Sequence, residues 1–507
     1  MRVARCCSGI KLREWSFCVI RSPDSVGAVP GARGFEETQV GQAVDALWAC
    51  VTEFIREAAA TQNRFVLRVA GVAAIGGFLF GYDTGVIGGA LLYVKHDLHA
   101  GSNFDQQAIV ASLLVGAVAG ALVAGRLADL LGRRRTIIAA GWLYVAGGIG
   151  SALAQSVWQL VGARLVLGLA VGAVSFVAPM YISEIAPSRI RGGTVTLNQL
   201  MLASGILAAY IADWGLKGLP GNWRWMVGLA SVPGLALAIG MLFVPESPRW
   251  LAEQGRDDDA RRVLRRVRGK DDVDDELQEI EQAAKHKAGH RALLQPQLRP
   301  MLIVGVGLAA FQQLVGINTV IYYAPTILSF TGMGAGSALT QTVFIGLTNV
   351  VFTIVAILLL DRVGRRPLLL VGTSGLVVAL AALGLFFRFG WLQQHVPAMA
   401  LGALLLYIAS FAVGLGPVFW LMISEIYPLN VRGPAESAAA VVNWVTNFAV
   451  SFTFLTLVGA ISRSGAFWLY AAIGLLAIGF VLARVPETRG RSLEQIQRRP
   501  GATPAST

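Results

Sequence analysis

The chain has 507 residues, 55% of them apolar and only 14% charged, with 42 Lys and Arg against 30 Asp and Glu for a formal charge of +12. Ordinary soluble domains carry about 25% charged residues, and a surface facing water needs them. A soluble enzyme, a disordered chain and a disulfide scaffold are therefore disfavoured, and a polytopic α-helical membrane protein is the reading that survives.

Residues 1–63 are mixed and weakly patterned. Ala46, Leu47, Val51, Phe54, Ile55 and Ala58 could line one face of a short amphipathic helix lying on the inner membrane surface. The alternative is a dispensable, disordered tail. The longest apolar run near the start, Ser16–Ile20, is too short for the core of a signal peptide, and Glu14, Asp24, Glu36, Glu37 and Asp45 argue against an acid-poor transit peptide. All four cysteines, Cys6, Cys7, Cys18 and Cys50, lie in this tail, so no disulfide or metal framework is expected to hold the membrane part.

From Arg68 onward, apolar stretches of spanning length, about 20 residues, follow one another. They are predicted near 68–93, 108–131, 137–156, 158–183, 194–213, 224–244, 300–330, 338–361, 367–389, 397–425, 434–459 and 464–484. Basic residues cluster in alternate gaps: Arg133–Arg135, Arg189 with Arg191, Arg256–Lys270, Arg362 with Arg365 and Arg366, Arg432, and Arg489 with Arg491. The other gaps hold few, such as Lys95, Lys217, Arg388 and Arg463. The positive-inside rule then puts both termini in the cytoplasm. In this setting the positive charge reads as a topology signal, and no nucleic-acid partner is expected. The long gap at 252–297 carries Val263 and Val267, then Val273, Leu277 and Ile280, at helical spacing, which predicts short cytoplasmic helices.

The chain repeats itself. ISEIAPSRIRG at 182–192 returns as ISEIYPLNVRG at 423–433, VPES at 244–247 as VPET at 485–488, and Asp129-x-x-Gly132-Arg133-Arg134 as Asp361-x-x-Gly364-Arg365-Arg366. Three motifs in one order at nearly one offset indicate a duplicated half. The predicted organisation is a tail at 1–63, a six-helix bundle at 64–250, a cytoplasmic helical linker at 251–298, a second six-helix bundle at 299–490 and a C-terminal tail at 491–507. Parallel repeats of this kind place a substrate site near the midplane between the halves and permit alternating access. Each half sets acids and arginines at cytoplasmic helix ends: Asp129, Arg133, Arg134, Glu184, Arg191 and Glu246 in the first, Asp361, Arg365, Arg366, Glu425, Arg432 and Glu487 in the second. They are expected to form an ion-pair gate, closed when the protein faces outward and broken when it faces inward; the plainer alternative is that they only staple helices.

Two charges fall inside the apolar stretches, Asp83 in the first and Arg164 in the fourth. A charge at that depth is costly and usually marks an ion or substrate path with a partner. The two have opposite sign and could pair, and a carboxylic acid there can carry a proton. The seventh stretch, FQQLVGINTVIYYAPT, holds Gln312, Gln313, Asn318, Tyr322 and Tyr323. On a straight helix Gln313 and Asn318 would stand about 140° apart, but Gly316 and Pro325 in this stretch suggest a broken helix that lets the polar groups converge on a cavity. Gln199, Asn349 and Asn443 add amides, and Trp420 and Trp444 add flat aromatic faces. Amides both donate and accept, matching hydroxyls, whereas a phosphate or carboxylate ligand would call for Arg or Lys. A neutral polyhydroxylated ligand fits this set.

GYDTGVIGGAL, GRLADLLGRRR, PMYISEIAPSRIRG, PESPRWL, QQLVGINTVIYY, DRVGRR, GPVFWLMISEIYP and PETRGRSLEQI together closely resemble the sugar porter family of the major facilitator superfamily, over about residues 68–497. The resemblance implies an all-α membrane fold of twelve transmembrane helices in two bundles with a cytoplasmic helical insert. It implies sugar contacts at Gln199, Gln312, Gln313, Asn318, Tyr322, Asn349, Trp420, Asn443 and Trp444. Proton-coupled members carry Asp at the position of Asp83 and passive facilitators usually carry Asn, so this chain looks like a symporter, with Arg164 as the partner of Asp83. A hexose, a pentose or inositol all fit. A passive uniporter and a sugar sensor are the alternatives; with no Walker A, HExxH or GxSxG motif, an enzyme is not expected. No cofactor or metal is expected, and the protein is expected to act as a monomer in the bilayer. The Ala, Gly and Arg content points to a bacterial inner membrane.

Overall fold

The computed structural model describes residues 64–186, 191–268, 273–285, 295–396, 398–427 and 431–488. The amphipathic helix expected within 46–58, with Arg189, Arg489 and Arg491, lies outside the described residues. The side chains of Arg191 and Asp361 are likewise outside them, although their backbones are helical.

The first half comprises α1 (Arg64–Asp97), α2 (Asn103–Leu131), α3 (Arg133–Leu153), α4 (Val157–Ile185), α5 (Arg191–Leu216), α6 (Asn222–Gly228) and α7 (Ser231–Leu242). Three short helices follow: α8 (Pro248–Glu253), α9 (Asp257–Arg268) and α10 (Asp274–Lys285). The second half comprises α11 (Arg299–Leu314), α12 (Ile317–Tyr322), α13 (Ala324–Ser329), α14 (Ala335–Val363), α15 (Arg365–Arg388), α16 (Gly390–His395), α17 (Ala398–Val413), α18 (Leu415–Ile426) and α19 (Arg432–Arg484). No strand occurs among the described residues.

Among the described residues, eleven helical segments are long and apolar enough to cross a bilayer. One of them, α19, has 53 residues. Straight, it would measure about 80 Å, far more than the roughly 30 Å hydrocarbon core. Ser462, at φ 74°, breaks it into two arms that are each long enough to cross, which accommodates the twelve crossings expected. Large apolar side chains such as Leu130 (75% exposed) and Phe243 (80% exposed) point away from the protein. Such a surface is untenable in water and ordinary against lipid. The chain is a multi-pass membrane protein.

Small residues set the helix crossings. A Cβ at Gly81 of α1 would land on the Leu202 carbonyl of α5, and one at Gly205 of α5 on the Phe78 carbonyl of α1. The same intimacy joins α2 to α4, where a Cβ at Gly168 would meet the Leu113 carbonyl. Without a hydrophobic drive between helices in lipid, such close backbone packing is what holds them together.

Three of the stretches are interrupted, the seventh as Gly316 led us to expect, the sixth and tenth against expectation. The seventh breaks at Gly316, φ 89°, between α11 and α12; the tenth breaks at Gly414 between α17 and α18; and the sixth is divided between α6 and α7. The linker is not a bare tether. Trp250, Leu251, Ala260, Leu264, Val273 and Leu277 form a small core of their own. Arg268 Nη1 donates to the Ile185 carbonyl at the end of α4 at 2.9 Å, and the Arg266 guanidinium covers the Phe65 ring of α1 at 4.1 Å.

The two halves meet unevenly. Contacts across the seam run from the midplane toward the face opposite the Arg133 and Arg365 clusters. The Phe80 and Trp444 rings lie 5.2 Å apart, the Tyr210 hydroxyl donates to the Ile321 carbonyl at 2.9 Å, Gln107 bonds Thr456 at 2.9 Å, and Phe104 meets Phe452 edge-on at 5.9 Å. A Cβ at Gly88 would crowd the Tyr322 carbonyl and Pro325.

Candidate functional site

The break at Gly316 explains how the seventh stretch can present its amides together. A straight helix would spread them round the axis; here the turn after α11 redirects Asn318. Its Nδ2 donates to Gln313 Oε1 at 2.8 Å. Gln313 Nε2 donates to Gln312 Oε1 at 3.2 Å and to Asn443 Oδ1 at 3.1 Å. Asn443 Nδ2 donates to Gln312 Oε1 at 2.7 Å and to the Ala309 carbonyl at 3.2 Å. Gln312 Nε2 reaches the Leu415 and Gly416 carbonyls at 2.9 and 3.3 Å, in the first turn of α18 just after the Gly414 break. Four amides from three helices thus form one connected set, Gln312, Gln313 and Asn443 buried and Asn318 half-buried.

The remaining predicted contacts surround this set unequally. Trp444 is buried against Phe80, and the Tyr322 hydroxyl lies beside Thr84 and Asn447. Asn349 on α14 is 9% exposed. Gln199 on α5 is half-buried, and Trp420 on α18 is 40% exposed, tilted against Phe419 at 4.8 Å. Gln199, Asn349 and Trp420 are not in the hydrogen-bonded amide set among the described residues.

Asp83 and Arg164 do pair. Both are 1% exposed, with Nη2 3.3 Å from Oδ2. Arg164 Nε donates to the Ile109 carbonyl of α2 at 2.7 Å, while its Nη1 has no partner. One guanidinium thereby ties α4 to α1 and α2 and keeps a spare donor. Tyr322 stands within electrostatic reach of both members of the pair. The charge pair of the first half therefore adjoins the broken helix of the second, which also bears the amides.

At the basic face each half builds the same cluster. Arg133 meets Glu184 at 3.1 Å and Asp129 at 3.3 Å, and Arg365 meets Glu425 at 2.8 Å. Arg133 Nη1 also donates to Ala128 O and Arg365 Nη1 to Leu360 O; Arg134 Nη2 donates to Leu242 O and Arg366 Nη2 to Leu482 O. Glu246 accepts from the Arg134 backbone N–H at 3.0 Å; Glu487 accepts from those of Arg365 and Arg366 at 3.1 and 3.0 Å. Gly132 and Gly364, at φ 94° and 101°, make the turns that aim these amides at the glutamates; Cβ atoms there would meet both the strain of a positive φ and the carboxylates. Arg432 lies at the start of α19, its Nε without a partner. All these ion pairs lie inside one half and bind its helix ends together.

Sequence reasoning missed several participants. Ser247 and Thr488 donate to Glu184 and Glu425, both at 2.5 Å, and their places in VPES and VPET carried that signal. Asp213 on α5 is fully buried and its carboxylate meets no side-chain donor; its lone charge among apolar neighbours was the available sign.

Comparison with known proteins agrees with this architecture. Residues 69–499 match the family described as "Sugar (and other) transporter". The chain is 44% identical over 429 residues to the putative metabolite transport protein YwtG of Bacillus subtilis, covering 84% of this chain and 93% of that one. It is 40% identical to the D-xylose transporter of Levilactobacillus brevis, with 84% and 93% covered. Identity to the galactose-proton symporter of Escherichia coli K12 is 39%, with 84% and 92% covered. Among solved structures, the partially occluded inward-open xylose transporter XylE from E. coli superposes with a TM-score of 0.75 at 32% identity, over 85% of this chain and 100% of that one. With two fused helical halves, a buried charge pair and an amide cluster at their junction, the chain belongs to the sugar porter family of the major facilitator superfamily and is a transporter, not an enzyme.

Proposed function

We propose that the protein couples proton entry to the uptake of a neutral monosaccharide or polyol (a hexose, a pentose or inositol) by alternating access, at the plasma membrane of a bacterium, with the basic face in the cytoplasm. The observation that carries this is the buried Asp83–Arg164 pair adjoining the helix that bears the amide cluster. A fixed structural ion pair would not need to stand beside a ligand site. Protonating Asp83 removes its charge and frees Arg164, so the pair exists only in one protonation state and its loss is felt at Tyr322 and the broken helix. Gln312, Gln313, Asn318 and Asn443, with Gln199, Asn349, Tyr322, Trp420 and Trp444 around them, would hold the hydroxyls and ring face of the ligand. The contacts between the halves, concentrated away from the basic face, fit an inward-facing state. The clusters of Asp129, Arg133, Arg134, Glu184, Arg191 and Glu246 and of Asp361, Arg365, Arg366, Glu425, Arg432 and Glu487 would keep each half rigid as the two rock, meeting across the basic face when it closes.

The test is uptake into proteoliposomes under an imposed inward proton gradient, with labelled hexoses, pentoses and myo-inositol, each with and without an uncoupler. Moving one charge across 100 mV is worth about 2.3 kcal/mol, which supports roughly 50-fold accumulation. Uphill uptake that collapses with uncoupler, and that Asp83→Asn abolishes while exchange persists, is expected. Uptake that only equilibrates, indifferent to uncoupler and to the substitution, would make the protein a passive facilitator.

A further inference from the structure

Asp213 is a second carboxyl inside the membrane region, and the reading above does not use it. It is fully buried, and its oxygens meet no side-chain donor, the backbone of Gly89 being the polar group beside them. It lies against Gly89 of α1, where a Cβ would fall on its Oδ2. The titratable groups facing it are Tyr82 and Tyr93 of α1 and Tyr210 of its own helix. Two of these hydroxyls are already committed, Tyr82 to the Met226 carbonyl at 3.1 Å and Tyr210 to the Ile321 carbonyl at 2.9 Å. Lys95 and His96 stand in the last turn of α1, and Lys217, just past α5, covers the Trp214 ring at 5.5 Å; no ion pair to Asp213 is formed among the described residues. On α14 the charged residues, Asp361 and Arg362, lie at the opposite end; Arg224 of α6 is held by the Ala152 and Ala154 carbonyls; α12 and α13 carry none. An unpaired carboxylate in so apolar a place costs several kcal/mol, so the closed packing tolerates the neutral acid and not the anion.

Its position gives that chemistry a consequence. One turn away, Tyr210 makes the hydrogen bond from α5 to α12 across the seam, and its ring packs against Gly346 of α14. Opening the seam at this face would separate these contacts and admit water to Asp213. We propose that Asp213 is a second proton-binding site, loaded when the face opposite the basic one closes and emptied when that face opens. Rising pH then favours the open seam, and one proton changes the open-to-closed ratio by up to about tenfold per pH unit.

This rests on the alternating-access part of the reading above but not on Asp83 as the coupling acid, so it is tested without Asp83. In an Asp83→Asn chain with Cys6, Cys7, Cys18 and Cys50 replaced by serine, spin labels are placed at Leu219→Cys and Ser337→Cys, exposed positions on either side of the seam. The label separation is measured by pulsed EPR in nanodiscs from pH 5 to 9. The longer distance is expected to gain population with pH, and adding Asp213→Asn, which mimics the neutral acid in shape, is expected to abolish the response. Gly89→Ala, which displaces the carboxyl, should move the midpoint. A distance distribution that ignores pH before Asp213 is changed, a response that survives Asp213→Asn, or a midpoint that Gly89→Ala leaves unmoved would each overturn the proposal.

Discussion

Asn443→Ala removes three hydrogen bonds at once: those donated to Gln312 Oε1 and the Ala309 carbonyl, and the one accepted from Gln313 Nε2. The damage is partly absorbed, since Gln312 Oε1 still accepts from Gln313 at 3.2 Å. At about 0.5–1.5 kcal/mol net per bond, with one bond substituted internally, the loss is about 1–3 kcal/mol. Asn443 is 6% exposed, so the loss falls on buried groups. If the amides are pre-set for a ligand, most of this cost falls on the bound state, because Gln312 and Gln313 must then be ordered by the ligand itself. Sugar binding should weaken roughly five- to hundredfold, at 1.4 kcal/mol per decade. The assay is equilibrium binding of the transported sugar to purified protein, with thermal unfolding measured in parallel with and without ligand. An affinity within threefold of the parent, alongside a lowered melting temperature, would refute the reasoning: the amides would then be interhelical glue.

Asp83→Asn should reduce accumulation from about 50-fold at 100 mV to equilibrium while leaving counterflow measurable; retained accumulation would end the role given to Asp83. Glu184→Gln should cost more stability than Glu425→Gln, because the Arg133–Glu184 side chains are 3% and 7% exposed against 13% and 26% for Arg365–Glu425; about 3 kcal/mol against about 1 is expected, read from thermal unfolding in detergent, and equal losses would show that burial does not set the difference. Gly168→Ala forces a Cβ onto the Leu113 carbonyl and should destabilise by about 1–3 kcal/mol, visible as a lower melting temperature. In the linker, the Arg256 guanidinium hydrogen-bonded to Asp259, helped by Arg262, holds that carboxyl below its usual range. A lowered folded value means the stabilisation is present above the unfolded value and is lost as pH falls through the folded one, below about pH 4. Hydrogen exchange across α9, corrected for intrinsic rate, should accelerate there in the parent chain and change less in Asp259→Asn.

The helices, the repeat and the basic face were all legible because each rests on a local or periodic property. Apolar length specifies a span, charge alternation specifies a face, and motif recurrence specifies a duplicated half. The broken seventh helix was legible too, since Gly316 and Pro325 are local signals. Acids and arginines at helix ends indicate that pairs will form, and only distances show that Arg133 meets Glu184 and Arg365 meets Glu425 within a half.

What the sequence by itself determined is therefore the class of molecule, an all-helical doubled membrane transporter with polar groups in its seventh helix and two opposite charges at depth. What only the tertiary structure decided is which groups complete one another. Asp83 finds Arg164 because α4 packs beside α1; Asn443 joins Gln312 and Gln313 from a helix far along the chain; Asp213 is left without a cation or a side-chain donor. Partnership and burial depend on atoms brought together by packing between distant segments. No local pattern carries that information, because the free energy of a buried polar group is set by what surrounds it in space.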